Sequence, residues 1–472
     1  MTTLRFHGSA AVLLLPLALF VAVTARLFIS EAAFDLTGLA AAGVLTLFSG
    51  SLLAKSPSEY WKAAVRGASS ELTGTVVLIL IASGIFSAMM KASGVADGLV
   101  FLGGMLHLTG HAFTVFVLLA SSLMAAATGS SIGTLLAAMP IFFPAGVALG
   151  ADPAMLAGAV LSGAIFGDNL APVSDVTVIS SVTQRFRNGT PADIAGVVRT
   201  RLPYAMIALA VSLPVYAFMG ASRPVSEAAL SGDASALLML VPVAVLIAVA
   251  VRTRDVLMAI SAGAVTGTAT GLLIGRLSFA TIFAAIDGRL SGFLISGISN
   301  VSPIILLCVT LFAFTGIVRE AGVPDMMAKA LEAGSAGRPS ALRTELFLSA
   351  ATLVVTTLFA AVTSASVALV GSLTDDIGRA SNVHPYRRSH ILSGLANSLP
   401  VLMPFSAFVL ITMAAVSGLE GAAAVTPFTL MTAAFYPIAL FLVFGFMVLT
   451  GTGRMMETPE PEAAEAKTAT AL

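Results

Sequence analysis

Residues 167–175 read Gly-Asp-Asn-Leu-Ala-Pro-Val-Ser-Asp, and they lie between two apolar segments, Met155–Phe166 and Val176–Val182. A carboxylate at membrane depth costs about 3 kcal/mol on insertion scales, so we expect Asp168 and Asp175 to have a function. The Gly and the Pro predict that the helix breaks here. Backbone groups freed at membrane depth must be buried in protein or line a cavity. Carboxylates beside broken helix ends are typical of the cation site of a membrane transporter.

The composition of the whole chain is that of a membrane protein with many spans. The chain has 472 residues, of which 57% are hydrophobic and 10% are charged. Its mean hydropathy of +0.99 is too high for a soluble globular domain, so the lipid bilayer is its predicted environment. The formal net charge is zero and no basic patch is present, which excludes nucleic acid as a partner. The single cysteine, Cys308, excludes a disulfide framework, and no cofactor is predicted.

Apolar segments predict an all-α polytopic fold with about ten spans, two re-entrant hairpins and two broken helices. The segment after Arg5 resembles a signal peptide, but it is as long as a full span and is interpreted as a retained helix. The predicted spans are residues 10–29, 36–54, 72–91, 154–184 (broken), 203–220, 236–251, 256–275, 292–318, 389–418 (broken) and 427–449. The predicted hairpins, 112–149 and 342–372, carry Gly, Ser and Thr at their centres.

The distribution of Lys and Arg predicts the orientation. With the N-terminus inside, the inner loops collect most of these residues, among them Arg199, Arg201, Arg387 and Arg388. The outer side keeps Arg26, Lys91, Arg223, Arg276 and Arg289. This bias predicts a multi-pass protein of the cytoplasmic membrane with both termini in the cytoplasm.

Three short motifs occur twice in the same order. Residues 94–97, 123–131 and 161–174 correspond to residues 322–325, 358–366 and 392–406. The first copy starts inside and the second starts outside, so the pattern predicts an inverted repeat, which is typical of secondary transporters. The alternative, chance similarity between apolar sequences, is less favoured because the order is kept.

This repeat divides the chain into five predicted parts. They are N-terminal scaffold helices (1–71), a first inverted repeat with a hairpin and a broken helix (72–220), linking helices (221–291), a second inverted repeat (292–450) and a disordered cytoplasmic tail (451–472).

The candidate ion site combines charge from the first half with neutral ligands from the second. Sodium is a hard cation that favours oxygen ligands, which carboxylates, hydroxyls and amides supply. Asp168 and Asp175 are the predicted charged ligands of sodium. The neutral candidates are Asn169, Ser174 and Thr177 at the first break, Thr128, Ser130 and Ser131 at the first hairpin, Thr363, Ser364 and Ser366 at the second hairpin, and Asn397 and Ser398 at the second break.

Structural alternatives exist for these residues. Both aspartates could bind the backbone at the break, and Asp175 could cap the next half-helix. The small hydroxylated residues of the hairpins could serve only close helix packing. A glycine repeat likewise predicts tight packing, either within a scaffold or in a dimer. It consists of Gly263, Gly267, Gly271 and Gly275.

The same residues carry a resemblance to a known family. Residues 167–177 are similar to the Gly-Asp-x-x-Ser-Pro-x-Ser-Asp-Thr-Thr signature of NhaC-type sodium/proton antiporters. Residues 127–134 (Ala-Thr-Gly-Ser-Ser-Ile-Gly-Thr) resemble the Ala-Thr-Gly-Thr-Ser-Trp-Gly-Thr motif of that family. The resemblance covers roughly residues 70–450. It implies the ion transporter superfamily fold, with a scaffold part, a transport part with two hairpins and commonly a homodimer.

The predicted function is exchange of sodium for protons by alternating access. A buried carboxylate can hold a proton or a sodium ion, and this competition couples the two fluxes. Ala171, Val176 and Ile132 replace a Ser, a Thr and a Trp of the family, which changes the groups available to a cation.

The alternative is a sodium- or proton-coupled carrier or exchanger of a small organic ion, of the malate/lactate type known among the relatives. No Arg or Lys is predicted in the core of the site, which disfavours a dicarboxylate. An enzyme is disfavoured because no nucleophile with a base and no metal triad is recognisable.

Overall fold

The computed structural model describes residues 4–8, 10–27, 36–221, 233–253, 255–286, 288–323 and 340–457, and these form a helical bundle. The helices of the first half are α1 (Leu14–Ala25), α2 (Leu36–Leu53), α3 (Pro57–Ala68), α4 (Glu71–Ser93), α5 (Val95–Met105), α6 (Gly110–Thr128), α7 (Ser131–Ala148), α8 (Pro153–Leu170), α9 (Asp175–Val182) and α10 (Ile194–Met219). The next are α11 (Leu240–Thr253), α12 (Val256–Leu273), α13 (Phe279–Ile282) and α14 (Phe293–Glu320). The last are α15 (Ala341–Leu358), α16 (Thr363–Ala380), α17 (Pro385–Ala396), α18 (Ala407–Val416), α19 (Pro427–Ala433) and α20 (Phe435–Thr450).

Shorter elements connect these helices. Short 3-10 helices cover Ala10–Leu13, Ala234–Met239, Leu399–Leu402 and Ala422–Ala424. Strands β1 (Ala284–Ile286) and β2 (Arg289–Ser291) pair antiparallel between α13 and α14. By length and composition, nine helices in the described part of the chain can cross a membrane, or up to 11 if each bent pair counts as one span. The predicted all-α polytopic fold is confirmed.

The helix ends follow from local sequence signals. The Asp152 side chain accepts a hydrogen bond from the Met155 backbone at the start of α8, and Ser130 accepts one from Gly133 at the start of α7. Such side-chain caps satisfy donors that the first helical turn leaves free. Gly129 ends α6 with a φ of 68°, a left-handed conformation that glycine adopts at little cost.

Glycines allow the helices around α14 to approach closely. A Cβ built on Gly67 would lie 2.3 Å from the Phe312 carbonyl oxygen, and one built on Gly84 would lie 2.4 Å from the Gly297 oxygen. The glycine repeat on α12 is also used internally, because a Cβ on Gly267 would lie 2.3 Å from the Met89 side chain. A Cβ on Gly263 or on Gly271 would likewise lie close to a neighbouring side chain, whereas a Cβ on Gly275 would have no atom within 4 Å.

Helices α6 and α7 form the first hairpin, and α15 and α16 form the second. The ends of the first hairpin meet where the Gly110 N–H donates to the Leu149 carbonyl at 2.8 Å. A Cβ on Gly421, beyond the end of α18, would lie 3.1 Å from Val147, so α18 ends on this same face.

The second hairpin is tied to the other end of the α17–α18 segment. Arg387, near the start of α17, pairs with Glu345 of α15 at 2.9 Å. The adjacent Arg388 pairs with Asp375 of α16 at 2.8 Å. The first hairpin thus lies beside the end of α18, and the second is tied to the start of α17. The inverted repeat and the five-part division of the chain stay predictions.

Both predicted breaks occur in the structure. The first break, residues 171–174, separates α8 from α9, and the second, residues 397–406, separates α17 from α18 with a bend of 53°. Span 427–449 was predicted to be continuous, and this is wrong: a third break at Ala434 bends α19 against α20 by 54°. Pro437 explains this break, because proline has no N–H to donate to the Ala433 carbonyl one turn earlier.

Some predictions fall outside the described residues. They concern Arg223, residues 324–325 of the second repeat motif and the tail from residue 458. Helix α3 was not predicted; its one buried face, with Tyr60, Ala63 and Ala64, is too short a signal beside the long apolar spans.

Candidate functional site

The first break places Asp168 at the centre of a polar cluster. Asp168 lies in the last turn of α8 and is buried, and Ser131 donates its hydroxyl to Asp168 Oδ2 at 3.2 Å. Gly167 allows this contact, because a Cβ at that position would lie 2.1 Å from the Ser122 carbonyl oxygen of α6. Close packing of α6 on α8 therefore brings the tip of the first hairpin to the carboxylate.

The two predicted aspartates have different surroundings. Asp175 is exposed and is the first residue of α9, where a carboxylate is favoured by the helix dipole. Its charge is nevertheless close enough to interact with that of Asp168. The buried Ser174 side chain is also within reach of Asp168, and it makes no cap bond with its own helix.

A buried arginine completes this cluster, contrary to the prediction that the site holds no basic residue. Arg201 of α10 is fully buried, and its charge interacts with that of Asp168. It donates from Nη2 to Thr177 Oγ1 at 2.7 Å and from Nη1 to Ser393 Oγ at 2.5 Å. Its Nε has no hydrogen-bond partner.

The assignment of Arg201 to an inner loop is thus wrong. The signal that could have corrected it is helical periodicity: Val197, Arg201 and Ala205 are spaced by four residues and share the buried face of α10, whereas Arg199 is exposed. Arg387 and Arg388 were also assigned to a loop, and both are buried near the start of α17.

Arg201 differs from these two buried arginines in its partners. Arg387 and Arg388 each have a carboxylate in contact, from Glu345 and Asp375 respectively. Among the residues that the structure describes, no carboxylate lies within ion-pair distance of Arg201, whose contacts are hydroxyl groups. A buried guanidinium without an ion pair is costly, so this position is a candidate for anion binding.

The third break reaches the same cluster. Tyr436, two residues after the break, accepts a hydrogen bond from Asn169 Nδ2 at 3.1 Å. Tyr216 donates its hydroxyl to the Ala433 carbonyl at 2.7 Å and accepts from the Phe435 N–H at 3.0 Å. Tyr216 thus binds the backbone carbonyl and N–H groups that the break leaves without helical partners. Neither tyrosine was predicted, because the contact joins residues far apart in sequence.

The second break is polar but uncharged. Asn397 is buried, and neither atom of its side-chain amide has a hydrogen-bond partner. Ser398 donates to the Leu395 carbonyl at 2.7 Å. The tip of the second hairpin contacts this break through a backbone carbonyl, because the Ala407 N–H donates to the Ala360 oxygen at 2.8 Å.

The remaining predicted residues lie at the hairpin tips and have local partners. Thr128 donates to the Met124 carbonyl at 2.9 Å, and Ser366 donates to the Val362 carbonyl at 2.9 Å. Ser130 caps α7. Thr363 is buried and Ser364 is half-buried in the first turn of α16. None of these five forms a described hydrogen bond with Asp168.

A small cavity separates the first hairpin from α11 and α12. Its volume is about 20 Å³, and its lining is mostly apolar, with Leu246 and Ile260 opposite Thr128 and Thr134. Such a volume has room for about one water molecule. The described residues contain no cluster of three or more His, Cys, Asp or Glu side chains that could hold a metal ion.

Residues 3–221 match the family model described as the Na+/H+ antiporter family. Over these residues the chain is similar to that family. The predicted resemblance to NhaC-type antiporters is thereby confirmed, and the matched range includes both the first hairpin and the first break.

Individual relatives match parts of the chain. The malate-2H(+)/Na(+)-lactate antiporter of Bacillus subtilis is 31% identical over 176 residues, which are 37% of this chain and 36% of that protein. The Na(+)/H(+) antiporter NhaC of Alkalihalophilus pseudofirmus is 29% identical over 280 residues, 54% of this chain and 58% of that protein. The matches thus span between about a third and three fifths of these relatives.

Among solved structures, the YdaH transporter of Alcanivorax borkumensis matches 83% of this chain and 88% of that chain, with 13% identity and a TM-score of 0.39. A score at that level does not establish a shared fold. The fold assignment rests on the helices of this chain.

Proposed function

We propose that this protein is a secondary active transporter that exchanges sodium for protons by alternating access. The observation that carries the proposal is the buried Asp168, which accepts a hydrogen bond from Ser131 beside a helix break. Hydroxyl and carboxylate oxygens are suitable ligands for sodium. The family match of residues 3–221 supports the same function.

The charges of the cluster favour one cation at a time. Asp168 and Asp175 carry two negative charges and Arg201, which stays protonated, carries one positive charge. The cluster therefore has one negative charge in excess, which either a proton or a sodium ion balances. Both together would leave a positive charge at membrane depth, which is unfavourable. This competition couples the two fluxes when the site opens to each side in turn.

The direct test is sodium-driven proton movement in proteoliposomes that contain the purified protein. An outward sodium gradient should acidify the lumen, a protonophore should abolish the signal, and empty liposomes provide the control. Potassium at the same concentration tests whether the response is specific for sodium. Absence of a sodium response in protein that is folded and inserted would refute sodium/proton exchange.

A second candidate function is exchange of a small organic carboxylate, and the observation that favours it is Arg201. An Arg without an ion pair can bind a carboxylate through two parallel hydrogen bonds. The name of the Bacillus subtilis relative includes malate and lactate, which are carboxylates. In this scheme, Asp168 would hold the coupling cation and Arg201 the organic anion.

Labelled malate and lactate separate the two functions. Uptake that requires Arg201 would favour the second candidate, and Arg201→Lys tests it because lysine keeps the charge but loses the planar pair of donors. Arg387→Lys is a poor control, since Arg387 holds a structural ion pair with Glu345. Exposed Arg199→Lys is the matched control on the same helix. Absence of uptake by the wild-type protein, together with a sodium response, would refute the second candidate.

We also propose that the protein lies in the cytoplasmic membrane with both termini in the cytoplasm, as a homodimer. The bias of Lys and Arg supports the orientation, and the family resemblance supports the dimer. Cys308 is buried and is the single cysteine, so a cysteine introduced at exposed Lys62 can be labelled selectively. A membrane-impermeant maleimide added to intact cells should not label Lys62→Cys, whereas Arg289→Cys should react. Native mass spectrometry of the purified protein tests the dimer.

A further inference from the structure

Tyr436 connects the third break to the residue beside Asp168. Its ring packs edge-on against Phe166 at a centroid distance of 5.3 Å, and its backbone N–H donates to Ser162 Oγ at 3.2 Å. Its hydroxyl accepts from Asn169 Nδ2 at 3.1 Å. Ser162, Phe166 and Asn169 are spaced by four and three residues, so all three contacts lie on one face of α8.

These contacts fix the position of the tyrosine. Tyr436 is fully buried, and its backbone is held next to a break whose free groups are bound by Tyr216. A Cβ on Gly158 would lie 2.3 Å from the Ala433 carbonyl oxygen, so the break and α8 are in close contact. The Tyr436 hydroxyl is therefore fixed in place, and it favours the one orientation of the Asn169 amide in which Nδ2 donates to it.

The orientation of Asn169 leaves its side-chain carbonyl oxygen available to a ligand. Its Nδ2 is bound by Tyr436, whereas its Oδ1 is buried and has no hydrogen-bond partner. An unpartnered buried acceptor is unfavourable, and a bound cation would offset that cost. Amide oxygens are good ligands for hard cations. Asp168, the preceding residue, belongs to the same cluster as Arg201.

We propose that Tyr436 is a positioning residue for the transported cation: it holds the Asn169 amide so that Oδ1 serves as a ligand beside Asp168. This inference rests on the proposed function, because it assumes that the site binds a cation. The third break would thereby contribute to the affinity and the selectivity of the site for its cation. The tyrosine acts through Asn169 and does not itself contact the ion.

Sodium binding at equilibrium tests this proposal without requiring transport. A dye that becomes fluorescent on reaction with a thiol reports thermal unfolding, since Cys308 is the single cysteine and is buried. Titration with sodium at constant ionic strength gives the half-saturating concentration from the rise in melting temperature. In Tyr436→Phe, loss of one hydrogen bond should raise that concentration about threefold to tenfold.

Two further variants give the test its controls. Tyr60→Phe should lower the melting temperature and leave the half-saturating sodium concentration unchanged, because buried Tyr60 donates to the Leu47 carbonyl at 3.0 Å and packs in a separate core with Phe6 and Ala63. Asn169→Ala should weaken sodium binding at least as much as Tyr436→Phe, and the double variant should be no weaker than Asn169→Ala. If Asn169→Ala does not fold, Asn169→Ser takes its place.

The outcomes of these titrations distinguish failure of the proposed function from failure of the role of Tyr436. A wild-type protein whose melting temperature does not respond to sodium contradicts the proposed function and this inference together. A wild-type response with an unchanged half-saturating concentration in Tyr436→Phe contradicts the inference alone. Additive effects of the Tyr436 and Asn169 substitutions would also refute it, since the tyrosine would then act independently of the amide.

Discussion

The first and second breaks have the same position relative to a hairpin tip but different chemistry. At the first break, the hairpin tip donates a side-chain hydroxyl, from Ser131, to a buried carboxylate. At the second, the hairpin tip offers a backbone carbonyl, from Ala360, to the first residue of α18. The first break thus carries the charge, and the second carries the uncharged amide of Asn397.

Under the proposed function, this difference would let one site serve a single cation. A second carboxylate pair at the other break would add negative charge and would require more than one cation for neutrality. An uncharged second break leaves the net charge to the first-break cluster of Asp168, Asp175 and Arg201. The asymmetry between the halves would therefore set the number of charges exchanged.

The largest expected effect comes from removing the charge of the first break. Asp168→Asn keeps the size of the side chain but cannot exchange a proton for a cation. We expect sodium-driven proton flux in proteoliposomes to fall at least about 100-fold, equivalent to about 3 kcal/mol. Asp175→Asn removes the same charge from the same break but should lose less flux, because Asp175 is exposed and solvent and salt screen its charge. Equal losses in both variants would contradict a special role for the buried aspartate.

The second prediction concerns the helix contact that presents Asp168. Gly167→Ala places a methyl group where only 2.1 Å separates an ideal Cβ from the Ser122 carbonyl oxygen. Helix α6 must then move away from α8, which should cost about 1–3 kcal/mol and lower the melting temperature. Gly445→Ala is the control, because nothing lies within 4 Å of that position in α20. A fully stable Gly167→Ala with normal exchange would show that this contact does not position the carboxylate.

The first break could be predicted from sequence because a charge in an apolar segment is conspicuous on its own. Asp168, the break and the hairpins all follow from residue type and local order. The contribution of Arg201 could not be predicted in the same way, because the residue lies near other basic residues at the end of a span. Its burial depends on which face of α10 meets α9 and α17.

The third break was missed for a different reason. Its cause, Pro437, lies inside an apolar segment that is long enough for one continuous span. The proline removes one backbone hydrogen bond, but whether the helix bends depends on a partner for the free carbonyl. That partner is Tyr216, which is more than two hundred residues away in sequence. Sequence spacing does not contain this information.

At the second break, the third prediction separates ligand binding from helix capping. Asn397→Ala removes an amide that has no partner in the protein, so we expect the half-saturating sodium concentration to rise about tenfold with little loss of stability. Ser406→Ala removes a side chain that caps α18 and donates to the Val401 carbonyl at 2.6 Å. It should lower stability by about 1 kcal/mol and leave sodium affinity unchanged. The reverse pattern would place the ligand at Ser406 and not at Asn397.

The smallest expected effect distinguishes the two hairpin tips by their backbone. The first tip turns at Gly129 with a φ of 68°, whereas the second turns at Ala360 and Ala361 with φ values of 51° and 60°. Alanine in this left-handed region costs about 1 kcal/mol, a cost that glycine avoids. Ala361→Gly should therefore raise the melting temperature slightly, and Gly129→Ala should lower it.

Exchange rates in these two variants then test whether the strain has a function. Strained backbone is often retained at sites that must change conformation. If the second tip stores strain for the conformational change, Ala361→Gly will be more stable and slower in sodium/proton exchange than the wild type. Equal rates with higher stability would mean that the strain is a cost of packing the tip against α18, to which Ala360 is hydrogen-bonded. The second break would then differ from the first in its ligands alone.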